Sequence, residues 1–238
     1  MPQSFRHSRL LPLWAALCVL GAMSVPALAA DASAWDNDIR SAARLIAAGA
    51  SRDAGGPVLR AGIEIKLNPG WKTYWRYPGD SGVPPVFDFS ASENVKTVTV
   101  LWPAPERFED GSGQSIGYKG GVVMPLRVVP QDAKKPVTLR MSLDYGVCEK
   151  MCVPAKAKAD LQLTGAASAQ EAVLAAAEAR VPKVGSIGDG RVPSIQAVRR
   201  EATAGKPRIV VDVAVPAGAP VDLFAEGPTE KWALPLPA

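Results

Sequence analysis

Histidine is almost absent from this chain: 238 residues contain one, His7, and it stands ahead of an apolar run near the start. Without a histidine further along, a Ser-His-Asp or Cys-His catalytic arrangement has no base, and zinc loses a usual partner. Cysteine is scarce too, with Cys18, Cys148 and Cys152 only. No phosphate-cradling glycine motif is present, because Gly111-Ser-Gly113 is followed by neither a P-loop lysine nor a helical pattern. The charge excess is small, 27 Lys and Arg against 23 Asp and Glu, and the cations are scattered. That argues against nucleic acid or an anionic membrane as partner. Glu109-Asp110 could serve a hydrolase as paired acids, but adjacent acids on a loop are more often solvated turn residues.

The opening stretch has the layout of a secretory signal peptide. Arg6, His7 and Arg9 form a positive start, Leu10 to Val25 is mostly apolar and uncharged, and Ala27-Leu28-Ala29 is a small-x-small cleavage site. A spanning helix needs about 20 consecutive apolar residues, and this run is broken by Pro12 and Pro26. A lipoprotein reading through Cys18 fails because Leu17 stands where a small residue is required. Residues 1–29 are therefore expected to be removed, which lowers the formal charge from +4 to +2. The mature chain is expected in the periplasm with no membrane span, in an oxidising compartment where a cysteine pair can hold a disulfide.

From about residue 57 onward, apolar and polar residues alternate, the period of a half-buried strand. Leu59, Ala61, Ile63, Ile65 and Leu67 share one face, and Asn68-Pro69-Gly70 ends that strand. Val83 to Phe89 is predicted as an edge strand because Pro84 and Pro85 cannot donate to a ladder. Val95 to Trp102 and Gly121 to Val129 are further strands. The clearest alternation is Val137, Leu139, Met141, Leu143 and Tyr145, followed beyond the cysteines by Ala155, Ala157, Ala159, Leu161 and Leu163. The fold class is thus all-β, an antiparallel β-sandwich over residues 35–165, with Asp36 to Ala50 expected as a short helix at its edge. Ala169 to Arg180 reads as a second helix ended by Pro182, and residues 166–191 form a helix and linker. Ile195 to Arg200, Arg208 to Val215 and Val221 to Ala225 are predicted strands of a second, partial β-domain over residues 192–238. Three strands in so short a stretch do not close a sandwich, so the chain is expected to be part of a longer one.

Cys148 and Cys152 fall between the two most strongly alternating strands. Facing residues of an antiparallel pair lie about 4.5–5.5 Å apart, a separation a disulfide spans. As a staple such a bridge is weak: closing a five-residue loop contributes about 2 kcal/mol, against about 4.7 for a 100-residue loop. A bond meant to open and close is the favoured reading, with a structural staple and metal binding as alternatives. Lys150 and Lys156 are nearby cations able to favour a thiolate, and Glu149 opposes them. A metal site would recruit Met151 as a soft third ligand for Cu(I). No metal site and no cofactor are assigned.

Several ordered segments together resemble the N-terminal periplasmic domain of the DsbD and ScsB family of thiol:disulfide interchange proteins. They are Gly70-Trp-Lys-Thr-Tyr74-Trp-Arg76, Glu106-Arg-Phe108-Glu-Asp-Gly111, Ser115-Ile-Gly-Tyr118-Lys119, Met124-Pro-Leu126, Leu143-Asp-Tyr145-Gly and Cys148 with Cys152-Val-Pro154. The resemblance covers roughly Pro57 to Leu163. It implies an immunoglobulin-like sandwich and a protein-disulfide reductase component whose cysteines cycle between dithiol and disulfide. It further implies Phe108 on a loop capping the pair, with Glu106, Tyr118 and Tyr74 around it. Implied partners are a membrane-embedded electron donor of the DsbD/ScsB type and oxidised periplasmic thioredoxin-like proteins. The pathway served, whether cytochrome c biogenesis, copper tolerance or general thiol reduction, is not specified.

This chain departs from the family pattern at three points. Its cysteines are separated by three residues, fewer than in the DsbD domain. Arg107 stands where the family carries a second acid, and the stretch from Phe108 to Ser115 is longer. No membrane domain or thioredoxin-like Cys-x-x-Cys domain accompanies the pair, so its electrons are expected from a separate protein or another part of a longer one.

Overall fold

The computed structural model describes Met1 and residues 30–53, 56–80, 82–110, 113–203 and 206–229. Residues 2–29 of the expected signal peptide, and Gly111 and Ser112, lie outside the described residues. In chain order the elements are β1 (Asp36–Asn37), β2 (Ser41–Asp53), β3 (Gly56–Leu67), β4 (Lys72–Gly79), β5 (Val86–Asp88), β6 (Val95–Val100), β7 (Glu106–Asp110), β8 (Gly113–Lys119), β9 (Gly121–Pro130), β10 (Val137–Cys148), β11 (Cys152–Leu163), α1 (Glu171–Ala179), β12 (Ser194–Thr203) and β13 (Lys206–Ala214). One sheet has the order β1-β2-β3-β9-β6. The facing sheet has the order β11-β10-β4-β8-β7, with β5 also on β10. Every pairing in the two sheets is antiparallel.

The core lies where the alternating sets meet. Ile63, Ile65, Met124, Leu126 and Val128 from one sheet face Val137, Leu139, Met141, Leu143, Tyr145 and Leu161 from the other. Aliphatic side chains buried in this way contribute about 1.5–3 kcal/mol each, which is why the period-two pattern fixes these strands.

The expected helix at Asp36–Ala50 is instead two strands. Alanine-rich composition favours a helix, but β2 is buried on both faces. Ala43 and Leu45 point into the sandwich, while Ile46 and Ala48 point outward beneath α1. Double burial removes the polar alternation that would have marked a strand. Helix α1 docks through Leu174, which is fully buried against Ile46 and Ala48. Gly62 leaves it room, since a Cβ there would stand 2.9 Å from Leu174 Cδ1. Arg60 on β3 anchors both ends of the helix, donating to Glu178 at 3.0 and 2.6 Å and to Glu171.

β12 and β13 form a two-stranded sheet of their own. Val221–Ala225, expected as a third strand, is not one: it returns to the sandwich, where Phe224 meets Trp75 edge-on with ring centroids 5.8 Å apart. No helix among the described residues is long and apolar enough to cross a membrane.

Candidate functional site

Alternation decides where the cysteines point. The odd-numbered residues of β10 from Val137 to Val147 face the core, so even-numbered Cys148 projects from the outer face of its sheet. The β10–β11 ladder runs without a register break to its last pair, Cys148 opposite Cys152, joined by Glu149-Lys150-Met151. The two Cα atoms are 4.1 Å apart and the sulfurs are joined as a disulfide.

β4 supplies the other side of the site. Its register sets Lys72 opposite Cys148, and on the far side opposite Lys119 of β8. Cys152, Cys148, Lys72 and Lys119 therefore form one row across four strands. Thr73 Oγ1 donates to the Gly146 carbonyl at 2.8 Å and ties β4 to β10 beside the pair. Tyr74, on the same face as Lys72, is fully buried, and its hydroxyl lies 2.8 Å from Cys152 Sγ. A disulfide sulfur carries no proton, so the tyrosine is the donor. Two glycines hold its ring: a Cβ at Gly82 would stand 2.5 Å from Cδ1, and one at Gly146 would stand 3.2 Å from Cδ2.

β7 brings Phe108 over the row. The ring is buried in a cluster with Tyr74 and Cys148, with Lys72 Nζ 4.5 Å and Lys119 Nζ 5.4 Å from its centroid, within cation–π range. The segment Glu106–Gly111, expected as a loop, is strand β7 through Asp110, hydrogen-bonded to β8 with Phe108 opposite Ser115. The two sulfurs are unequal as a result: Cys148 is 3% exposed beneath the ring, whereas Cys152 is exposed.

The other expected residues are placed differently. Glu106 lies on β7 opposite Gly117 with its side chain exposed. Tyr118 points the opposite way, into the core, where its hydroxyl donates to the Pro103 carbonyl at 2.9 Å and burial pushes its phenol pKa up. It therefore does not surround the pair. Lys156, expected as a cation for the thiols, pairs with Asp144 at 2.6 Å. Lys72 and Lys119 occupy the row instead. Sequence reasoning missed Lys72; its even spacing from Tyr74 put it on the same face, but only the register puts it beside Cys148. Met151, the expected third ligand for copper, is 72% exposed. Among the described residues no group of three or more His, Cys, Asp or Glu could hold a metal ion.

The fold and this site define an immunoglobulin-like sandwich bearing a cysteine pair at disulfide distance on the outer face of one sheet. Residues 47–164 match the family model described as thiol:disulfide interchange protein DsbD, N-terminal. The structure is similar to the crystal structure of the N-terminal periplasmic domain of ScsB from Proteus mirabilis. The identity is 25% and the TM-score 0.59, with 77% of this chain and 70% of that chain covered. No curated protein matches the chain.

Proposed function

We propose that the protein is a periplasmic thiol–disulfide interchange protein that passes electrons to oxidised partner proteins through Cys148 and Cys152. The observation that carries this reading is the asymmetry of the pair: one sulfur open to a partner and hydrogen-bonded by Tyr74, the other sheltered under Phe108. In the reduced protein the Cys152 thiolate attacks a sulfur of the partner's disulfide. That bond breaks, one partner sulfur leaves as thiolate, and a mixed disulfide forms. The Cys148 thiolate then attacks Cys152 Sγ, which restores the Cys148–Cys152 disulfide and releases the partner as a dithiol. Two electrons pass to the partner, and its thiolates take protons from solvent. A membrane-embedded dithiol donor of the DsbD/ScsB type resets the pair, and oxidised thioredoxin-like proteins are the acceptors. Phe108 shields the bond between encounters.

The family match over residues 47–164 and the periplasmic origin of the similar ScsB domain support this assignment. The same reading divides the chain into a signal peptide (1–29), the redox sandwich (35–165), a helix and linker (166–191) and a partial β-domain from residue 192.

The test is the reduction potential of the pair, together with capture of a mixed disulfide by Cys148→Ala from an oxidised thioredoxin-like protein. An exchanger has a potential near the glutathione range, about −200 to −260 mV, and Cys148→Ala traps the partner on Cys152. A potential below about −300 mV with no trapped partner would establish a structural staple in a binding module instead.

A further inference from the structure

Arg107 stands next to Phe108 on β7, so alternation sends its side chain to the opposite face of the strand. There it meets the segment that returns from the β12–β13 hairpin. Its Nε and Nη2 donate to Asp222 Oδ2 and Oδ1 at 3.1 and 2.8 Å, and Nη2 also donates to the Leu223 carbonyl at 3.2 Å. Its Nη1 donates to Gln114 Oε1 on β8 at 3.1 Å. Two residues on, Phe224 packs against Trp75, the neighbour of Tyr74. Two further on, Glu226 accepts from Arg76 Nε and Nη2 at 2.6 and 3.1 Å. Asp222 and Phe224 thus grip Arg107 and Trp75, the residues adjoining Phe108 and Tyr74, and Glu226 holds Arg76 one residue further along β4. β7 is the last strand in its sheet order, and among the described residues its ladder bonds go to β8 alone. A strand bonded along one edge opens more readily than one paired on both sides, and here the returning segment holds it from the core side.

We infer that Val221–Glu226 is a clamp on the cap. It holds the strand bearing Phe108 closed over Cys148, with Arg107 and Asp222 as positioning residues. The inference rests on Phe108 shielding the disulfide, as proposed above. It makes access to the buried sulfur depend on a segment more than 100 residues from Phe108 in sequence, so movement of the β12–β13 unit is transmitted to the site.

The test is the rate at which dithiothreitol reduces the Cys148–Cys152 disulfide in the full chain; the reagent is oxidised to its cyclic disulfide as the pair becomes a dithiol. Loss of a half-exposed ion pair predicts that Asp222→Ala accelerates reduction about two- to fivefold, and that Phe224→Ala acts in the same direction. Asp222→Arg is also fast, and adding Arg107→Asp to it restores the slow rate. In a Phe108→Ala background, Asp222→Ala adds nothing, because no cap is left to hold. An unchanged rate in Asp222→Ala overturns the clamp, and so does an acceleration that persists in the Phe108→Ala background. No protein partner takes part, so this outcome is separate from whether the pair exchanges with oxidised proteins.

Discussion

Cys152 and Cys148 share a bond, but their surroundings give them different chemistry. The Tyr74 hydroxyl lies 2.8 Å from Cys152 Sγ, and a donor fixed at that position favours the thiolate when the bond opens. Tyr74→Phe keeps the ring between Gly82 and Gly146 and removes only the donor. In a Cys148→Ala background it should slow alkylation of Cys152 at neutral pH on the order of tenfold, the scale of one hydrogen bond to a charged acceptor; iodoacetamide kinetics would measure it. Lys72 stands in the same row as Cys148, and Lys72→Met should retard resolution of the mixed disulfide while Lys72→Arg preserves it, as quenched-flow trapping would show. Either cysteine changed to alanine should leave the sandwich folded, because the five-residue ring contributes only about 2 kcal/mol. A far-ultraviolet spectrum and a denaturation curve check that expectation.

Helix α1 is attached to the sandwich through a few side chains. Leu174 is its fully buried anchor, so Leu174→Ala should lower stability by about 2–5 kcal/mol in chemical denaturation. The Arg60 guanidinium first, and the Gly49 amide second, hold the Glu171 carboxyl below its ordinary value. A carboxylate with a depressed folded-state pKa adds stability above its unfolded pKa and loses it as pH falls through the folded one. The denaturation midpoint of Glu171→Gln should therefore lie below that of the native protein at pH 7, with the difference shrinking at strongly acid pH. At this scale the sequence was informative where one face of a strand is wet, as in β3, β10 and β11. It misled where both faces are covered, as in β2: Ile46 and Ala48 lie under a helix more than 120 residues away, and nothing local announces that cover.

At the scale of the whole molecule, the sandwich and the β12–β13 hairpin differ in how much they bury. Val198 and Ile209 on the hairpin are 48% and 67% exposed, and two strands alone are marginal in water. Lys183 and Arg191 flank an exposed connection between α1 and β12. Limited trypsin treatment should cut there first and leave a resistant piece containing the sandwich and α1, identifiable by mass spectrometry. If the returning segment binds as described, the released C-terminal piece should stay with that core until Asp222 and Phe224 are changed, as gel filtration would reveal.

The sequence by itself determined the all-β character, the faces of the long strands and the isolation of Cys148 and Cys152 as the reactive pair. Period-two burial and residue inventory are local properties that need no coordinates. Only the tertiary structure decided which residues meet the pair. Tyr74, Lys72 and Phe108 reach it through the registers of β4, β8 and β7, whereas Tyr118, in the same sequence segment as Lys119, faces the core. Register is set by how two distant strands slide against each other to bury their apolar faces, and a shift of one residue would have exchanged those roles.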